Sequence, residues 1–287
     1  MNVVEYRQKN ESKTQWSTII AMIVYHILAV VALFNFSWTN FAVAAFLWWI
    51  TGSLGIGLGY HRLLTHKGFK VPKWLEYTLT IFGMLSLQSG AISWVTSHRI
   101  HHLFTDTDSD PHSPREKGFL WSHIVWLFKG SAQENDETTC RKYSPDLMKD
   151  KFHVLMDNYF IVPTVILGVI LLAVGGFPML IWGLCLRTVW GWHCTFLVNS
   201  ATHLWGTRRF ETDEDSRNNG LVALLTFGEG WHNNHHANPV SARHGLTWYE
   251  FDINWIQLKT LEALGLVTQL KEHNIEKAMI KTLRKAA

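Results

Sequence analysis

Between residues 15 and 60 the chain carries no Asp, Glu, Lys or Arg. A helix needs roughly 20 apolar residues to cross a bilayer, so this run holds two crossings and a tight turn, expected around Asn35 to Asn40. In lipid every backbone polar group must be satisfied within the fold, which leaves helices or closed barrels. The unbroken apolar runs lack the alternation of barrel strands. A second charge-free run covers residues 158–186 and, apart from Arg187, continues to His203. Gly175-Gly176-Phe177-Pro178 interrupts it with turn-forming residues. The expected fold is all-α and integral to a membrane: two helical hairpins, with four transmembrane helices at about 16–36, 39–60, 158–176 and 178–200.

Charge sets the expected topology. The N-terminal tail, the segment 67–151 and the tail after Arg208 hold essentially all the Lys and Arg, whereas the two expected turns hold none. By the positive-inside rule both termini and the central segment are cytoplasmic, giving one domain over residues 1–287 with cytoplasmic segments 61–157 and 204–287. Fifteen Trp and sixteen Phe beside only 17% charged residues fit an embedded protein with a wet face. The formal charge of +3 is too mild to suggest nucleic acid; membrane lipid is the better partner. Cys140, Cys185 and Cys194 form no C-x-x-C and are expected as reduced thiols. The polar first fourteen residues and the absence of a cleavage pattern argue against a removable signal peptide. Residues 75–95, interrupted by Gln88, Ser89 and Gly90, are expected as a re-entrant or interfacial helix, and residues 119–128, with Trp121 and Trp126, as an interfacial one. After Asn238-Pro239 an amphipathic tail carries Leu258, Leu261, Leu264 and Leu266 partly at helical spacing.

The chemistry sits in the histidines. Residues 94–112 read W-V-T-S-H-R-I-H-H-L-F-T-D-T-D-S-D-P-H, and on a helix His98, His101 and His102 share one face. Asp106, Asp108 and Asp110 follow as carboxylates that could orient them. The spacing returns as His232-Asn233-Asn234-His235-His236, and more loosely as His61 and His66. Five residues turn about 140° on an ideal α-helix, so His61 and His66 require a bend or must wrap around what they bind. All three clusters fall on one side of the bilayer in the expected topology. Eight imidazoles exceed what one ion takes and imply two. His203, closing the last span, is a ninth, and Asn199 one turn before it could hold a metal-bound water. Such a site suits iron, copper or zinc, and iron if dioxygen is activated.

The order H-x4-H, H-x2-H-H, N-S-x2-H, H-x2-H-H resembles the membrane-bound fatty acid desaturases, most closely their Δ9, stearoyl-CoA desaturase-like branch. The likeness runs from about residue 59 to 248. It includes Gly59-Tyr60-His61-Arg62, Asp110-Pro111-His112, Ser122-His123 and Gly228-Glu229-Gly230-Trp231-His232. It implies two non-haem irons (Fe2+) held by His61, His66, His98, His101, His102, His203, His232, His235 and His236. It also implies a bent substrate tunnel at Gln88, Trp94, Thr195 and Phe196. The implied reaction is O2-dependent insertion of a cis double bond, at Δ9, into a saturated acyl chain carried on CoA or a glycerolipid. Thr96-Ser97 stands where animal members have Arg-Asp, Ser89 where they have Asn, and Phe196 where they have Trp. The first two changes remove polar groups associated with coenzyme A. No His-Pro-Gly-Gly haem motif occurs, so electrons are expected from a separate donor of the ferredoxin or cytochrome b5 type.

Other readings compete. The same oxidant could hydroxylate an acyl chain or lipid. A metal transporter or haem carrier would place its ligands inside the spans rather than beyond their ends. His26 and His193 are expected as structural residues, His112 and His123 as residues that could hold ligands, and His153, His244 and His273 as surface residues. Arg187 could pair with backbone carbonyls or serve substrate.

Overall fold

The computed structural model describes residues 13–129 and 136–272, where all regular structure is helical. His273 lies outside the described residues. Three helices among these residues are long and apolar enough to cross a membrane: α1 (Trp16–Leu33), α2 (Trp38–Thr65) and the run Val162–Leu204. The expected turn between the first two falls at residues 34–37, and the Ser37 hydroxyl accepts a hydrogen bond from the Asn40 amide to cap α2. The third run comprises α8 (Val162–Leu180), a π-helical turn at Ile181–Leu186 and α9 (Arg187–Leu204). Gly176 breaks it with φ 67° and ψ −166°, backbone that only glycine adopts without strain, and Pro178 follows where no preceding turn needs its amide. Ile20, Ile23, Ile27, Phe41, Phe46, Val165, Ile166 and Val169 are exposed on these helices, as a lipid-facing surface requires.

From Trp49 to Thr65 α2 is π-helical, closing i to i+5 hydrogen bonds such as the His66 amide on the His61 carbonyl at 3.1 Å. Residues five apart therefore stack on one face. This meets the requirement for a bend between His61 and His66, and it carries the helix past the span end expected at residue 60.

Residues 75–95 form two helices, α3 (Lys73–Met84) and α4 (Ala91–Phe104), with a turn between them in which Leu87 and Ser89 have positive φ. At 12 residues α3 is too short to cross a bilayer. It lies along α2 at backbone contact: a Cβ on Gly55 would come within 2.5 Å of the Phe82 and Gly83 backbone, and one on Gly59 within 2.9 Å of the Leu79 carbonyl. The α3–α4 turn spends its carbonyls on α9. Arg187 is buried, donating to the carbonyls of Gly183 at 3.0 Å and Leu85 at 2.7 Å, and the Trp192 indole donates to Ser86. Of its two expected roles, Arg187 takes the backbone one.

α5 (Pro114–His123) and a 3-10 turn at Val125–Phe128 cover the expected interfacial segment. Trp126 is a correction: it is buried with Leu127 against Met22, Trp192 and Phe196, because the segment closes over α1 and α9 instead of facing lipid. Short helices α6 (Glu137–Tyr143), α7 (Lys151–Asn158), α10 (Gly220–Leu225) and α11 (His232–Ala237) complete the cap. The tail forms α12 (Ile253–Ala263), where Leu258 is fully buried, Leu261 and Leu266 pack on the main core, and Leu264 is exposed. All three cysteines are buried and none is in a disulfide.

A side chain at Gly55 must push α3 off α2. Gly55→Val is expected to destabilise the fold by about 3 kcal/mol, as overpacking at backbone contact does; a thermal melt in detergent within 2 °C of the parent would contradict this packing.

Candidate metal centre

The nine expected histidines come from four places in the chain and meet in two groups. His61, His66, His98, His102 and His235 form one, and His101, His203, His232 and His236 the other; within each group the ligand nitrogens lie within 4.8 Å of one another. In the first, Nε2 of His61 is 3.1 Å from that of His235, which is 3.0 Å from that of His102, itself 3.2 Å from that of His98. In the second, the Nε2 atoms of His203 and His232 are 3.1 Å apart. Nε2 of His66 and of His236 are buried with no hydrogen-bond partner.

Carboxylates decide which nitrogen faces inward. Glu229 accepts from His61 Nδ1 at 2.5 Å, Asp110 from His101 Nδ1 at 3.0 Å and Asp106 from His203 Nδ1 at 3.0 Å. A neutral imidazole with its proton on Nδ1 presents a bare Nε2. Burial, and after it the neighbouring imidazoles, push His98, His102, His232, His235 and His236 well below the usual histidine range. These rings are therefore neutral near pH 7, the form that binds a metal. Burial alone would raise the Asp110 carboxyl, but His101 and His112 beside it hold it well below the carboxylate range. Lone pairs aimed at a common point, orphaned nitrogens and carboxylates behind them fit two cations of borderline softness.

Each carboxylate is itself fixed. Asp106 also accepts from the Ser113 hydroxyl at 2.7 Å and the Asp215 amide at 2.8 Å. Asp110 accepts the amides of Asp106 and His112. Glu229 accepts from Arg62 at 3.0 Å and Asn254 at 2.7 Å, and the buried Arg62 makes a two-armed pair with Asp252. Asp108, the third expected carboxylate, is exposed and stands apart.

Two expectations are overturned. His153 and His244 are buried, not superficial. His153 Nε2 lies 3.0 Å from Glu76, a carboxylate already paired with Lys73. The His244 ring packs 4.6 Å from His235 and 5.4 Å from His61, with Nδ1 3.4 Å from Glu229. Neither has a clustered spacing, so only the tertiary fold reveals them. Glu229 and Arg62 lie inside the recognised motifs, but no role was read for them. Asn233 and Asn234 within the third cluster escaped notice too. Asn233 accepts the amides of Arg209 and Phe210, and Asn234 ties Asn218, Glu250 and the His244 carbonyl, so both seat α11. His112 packs 4.5 Å from His101, whereas His123 leaves the centre to bond Ser200 and His193, which in turn meets His26.

A cavity of about 700 Å³ runs from the first group into the membrane-spanning helices, and Gln88, Trp94, His98, Thr195, Phe196 and Asn199 line it. Trp94 stacks on His98 with centroids 4.9 Å apart, and the Gln88 amide donates to the Thr195 hydroxyl at 3.0 Å, bridging the α3–α4 turn to α9.

Helices long and apolar enough to cross a membrane, two histidine groups that could hold metal ions and an adjoining apolar cavity are, among the described residues, the features of an enzyme class that works on lipidic chains. A fatty acid desaturase family model matches residues 36–267. The chain is 48% identical over 258 residues to the sn-1 stearoyl-lipid 9-desaturase of Anabaena variabilis, covering 89% of this chain and 93% of that one. It is 45% identical over 262 residues to the sn-2 palmitoyl-lipid 9-desaturase of Nostoc sp. (strain 36), at 91% and 92% coverage. An acyl-CoA 5-desaturase of Anemone leveillei is 44% identical over 248 residues, at 86% and 76%. The chain belongs to the fatty acid desaturase family and is an oxidoreductase of that kind.

Asp106 and Asp110 both stand behind the four-histidine group. Asp106→Asn and Asp110→Asn are each expected to weaken metal binding there by about 10- to 100-fold. Metal content after mild chelation should then fall toward one ion per chain with helicity intact; full retention in both variants would remove the orienting role.

Proposed function

We propose that the protein inserts a cis double bond at the Δ9 position of saturated acyl chains on membrane glycerolipids, using O2, two electrons from an external ferredoxin- or cytochrome b5-type donor and two irons in the histidine centre. The observation that carries this reading is the junction of the first histidine group, through His98, with the apolar cavity that Trp94 and Thr195 line. Two irons, when bound, supply the oxidising power for an unactivated C–H bond that no side chain provides. The protein's own part is placement. His61, His66, His98, His102 and His235 would hold one ion, and His101, His203, His232 and His236 the other. Asn199, in the cavity wall one turn before His203, would hold a water at an open position.

The cavity wall sets regiochemistry and geometry. Gln88 and Thr195, locked together, and Trp94, locked on His98, fix where a chain must bend and which methylenes meet the centre. Apolar residues around them exclude water. Among the described residues no Lys, Arg, Asp or Glu lines the cavity. Thr96 is turned away to donate to Ser144 at 2.9 Å. A neutral wall of this kind favours a glycerolipid ester over a polyphosphate carrier. The 9-desaturase names of the relatives above favour Δ9.

For topology, we infer four crossings, with the run Val162–Leu204 counted as two through the break at Gly176 and with termini and metal centre cytoplasmic. The distribution of Lys and Arg supports this orientation.

Expression in a desaturase-deficient host is expected to yield monounsaturated chains with the double bond at carbon 9. His101→Ala should abolish the product while membrane insertion persists. Hydroxylated chains without alkene, or unchanged product in His101→Ala, would overturn the reading.

A further inference from the structure

The same cavity has a second feature: α1 and α8 both supply walls to it. Ser17, Thr18, Ala21, Met22 and Tyr25 form one bank, and Ile161, Thr164, Val165, Gly168, Val169 and Leu172 the other. Both helices pack against the Ile181–Leu186 turn, which leaves the space between them as a slot. Its outer lip on α8 faces lipid, with Val165 and Val169 more than half exposed. The polarity of the slot is graded. Hydroxyls occur only in the first turn of each helix, at Ser17, Thr18 and Thr164, and below them the banks are apolar apart from Tyr25. Thr164 is 96% buried, yet its Oγ1 has no hydrogen-bond partner. A buried hydroxyl left unpaired costs on the order of 1–3 kcal/mol, so an acceptor in the slot that a turn of the Thr164 side chain brings within reach would relieve that cost.

A diacyl glycerolipid has a matching gradient. Its ester carbonyls sit at the level where spanning helices leave the hydrocarbon, and its chains run inward from there. We propose that the α1–α8 slot is a lateral portal through which a bilayer-resident glycerolipid threads one acyl chain toward the metal centre, with the Thr164 hydroxyl donating to that chain's ester carbonyl. The proposal rests on the desaturase reading above and adds a route and a recognition residue to it. A Cβ at Gly168 would stand in ordinary contact, 3.5 Å from Leu184 and 3.6 Å from Leu180, which line the same cavity, so a side chain much larger than methyl there would take up cavity space.

Membranes containing the iron-loaded protein and a distearoyl glycerolipid, supplied with reductant and donor, test this against added stearoyl-CoA. Thr164→Val is expected to raise KM for the glycerolipid about five- to tenfold, more than it lowers kcat, as the loss of one buried hydrogen bond predicts. Gly168→Phe should cut its turnover by about tenfold or more with iron content at the parent level. Val165→Trp, placed on the exposed lip, makes the same test if Gly168→Phe fails to fold. Turnover of the lipid undiminished in an iron-replete plug variant, or KM unchanged in Thr164→Val, would overturn the portal. Parent protein that converts stearoyl-CoA but not the bilayer lipid would overturn it while leaving the desaturase reading standing. Conversion of neither would sink that reading itself.

Discussion

Three carboxylate-to-imidazole hydrogen bonds govern this molecule: Glu229 to His61, Asp110 to His101 and Asp106 to His203. A histidine ring has two nitrogens of nearly equal basicity, and nothing within the ring chooses between them. Placing a carboxylate behind Nδ1 makes the choice and also fixes the ring plane. Two of the three pairs bind segments far apart in sequence. Glu229 precedes α11 and holds α2; Asp106 follows α4 and holds the end of α9. The centre is therefore also the clasp that joins the long helices to the cap. Removing Glu229 or Asp106 would loosen a candidate metal ligand and a contact between distant segments together.

Such a centre must be rigid at the edge of a fluid solvent, and the fold supplies that by two different means. Toward the membrane it uses backbone contact, with α3 lying on the glycines of α2, where hydrophobic driving force between helices is weak and close packing replaces it. Toward water it uses saturated polar networks. Arg62 is buried and spends its guanidinium on Glu229, Asp252 and the Ala242 carbonyl, while Asn233 and Asn234 seat the third histidine cluster. Each buried charge has a partner, which is the condition under which burial confers order instead of a penalty. Arg187 obeys the same rule deeper down, where its partners are the Gly183 carbonyl one turn before it and the Leu85 carbonyl that the α3–α4 turn leaves open.

The legible part of the sequence was the part governed by local rules. A charge-free run of 46 residues can be little else than membrane helix, and imidazoles at i, i+3 and i+4 share a face whatever surrounds them. His61 and His66 were readable only as a constraint. Their spacing demanded a departure from the α-helix, and the structure meets it with a π-helical segment that no propensity announces. His153 and His244 were misread as surface residues because an isolated histidine carries no periodic signal; burial was conferred by α3 in one case and by α2 and α11 in the other. Trp126 was misread for a related reason, since an aromatic-rich segment next to a membrane can face lipid or close a core. Asp106 and Asp110 were legible and Asp108 was not separable from them, because alternation of acids fixes no direction until the chain turns at Asp106, whose φ of 56° is set by tertiary contacts.

The neutral lining of the cavity bears on how a desaturase fold can serve different acyl carriers. A thioester on coenzyme A brings phosphates, and these must be met by cations placed where the carrier rests. An ester in a bilayer brings its own solvent with it, and the protein needs only an opening and one or two hydroxyls at the right depth. In this chain the α4 position that would carry a guanidinium holds Thr96, which bonds inward to Ser144, and the cavity wall beside it carries Ser97. The change is small in sequence and leaves the imidazoles of α4 in place: residue 96 points away from the stripe of His98, His101 and His102, whereas residue 97, one turn before His101, lies beside that stripe on the cavity wall. Position 96 can therefore change without disturbing the imidazoles that follow it on the same helix.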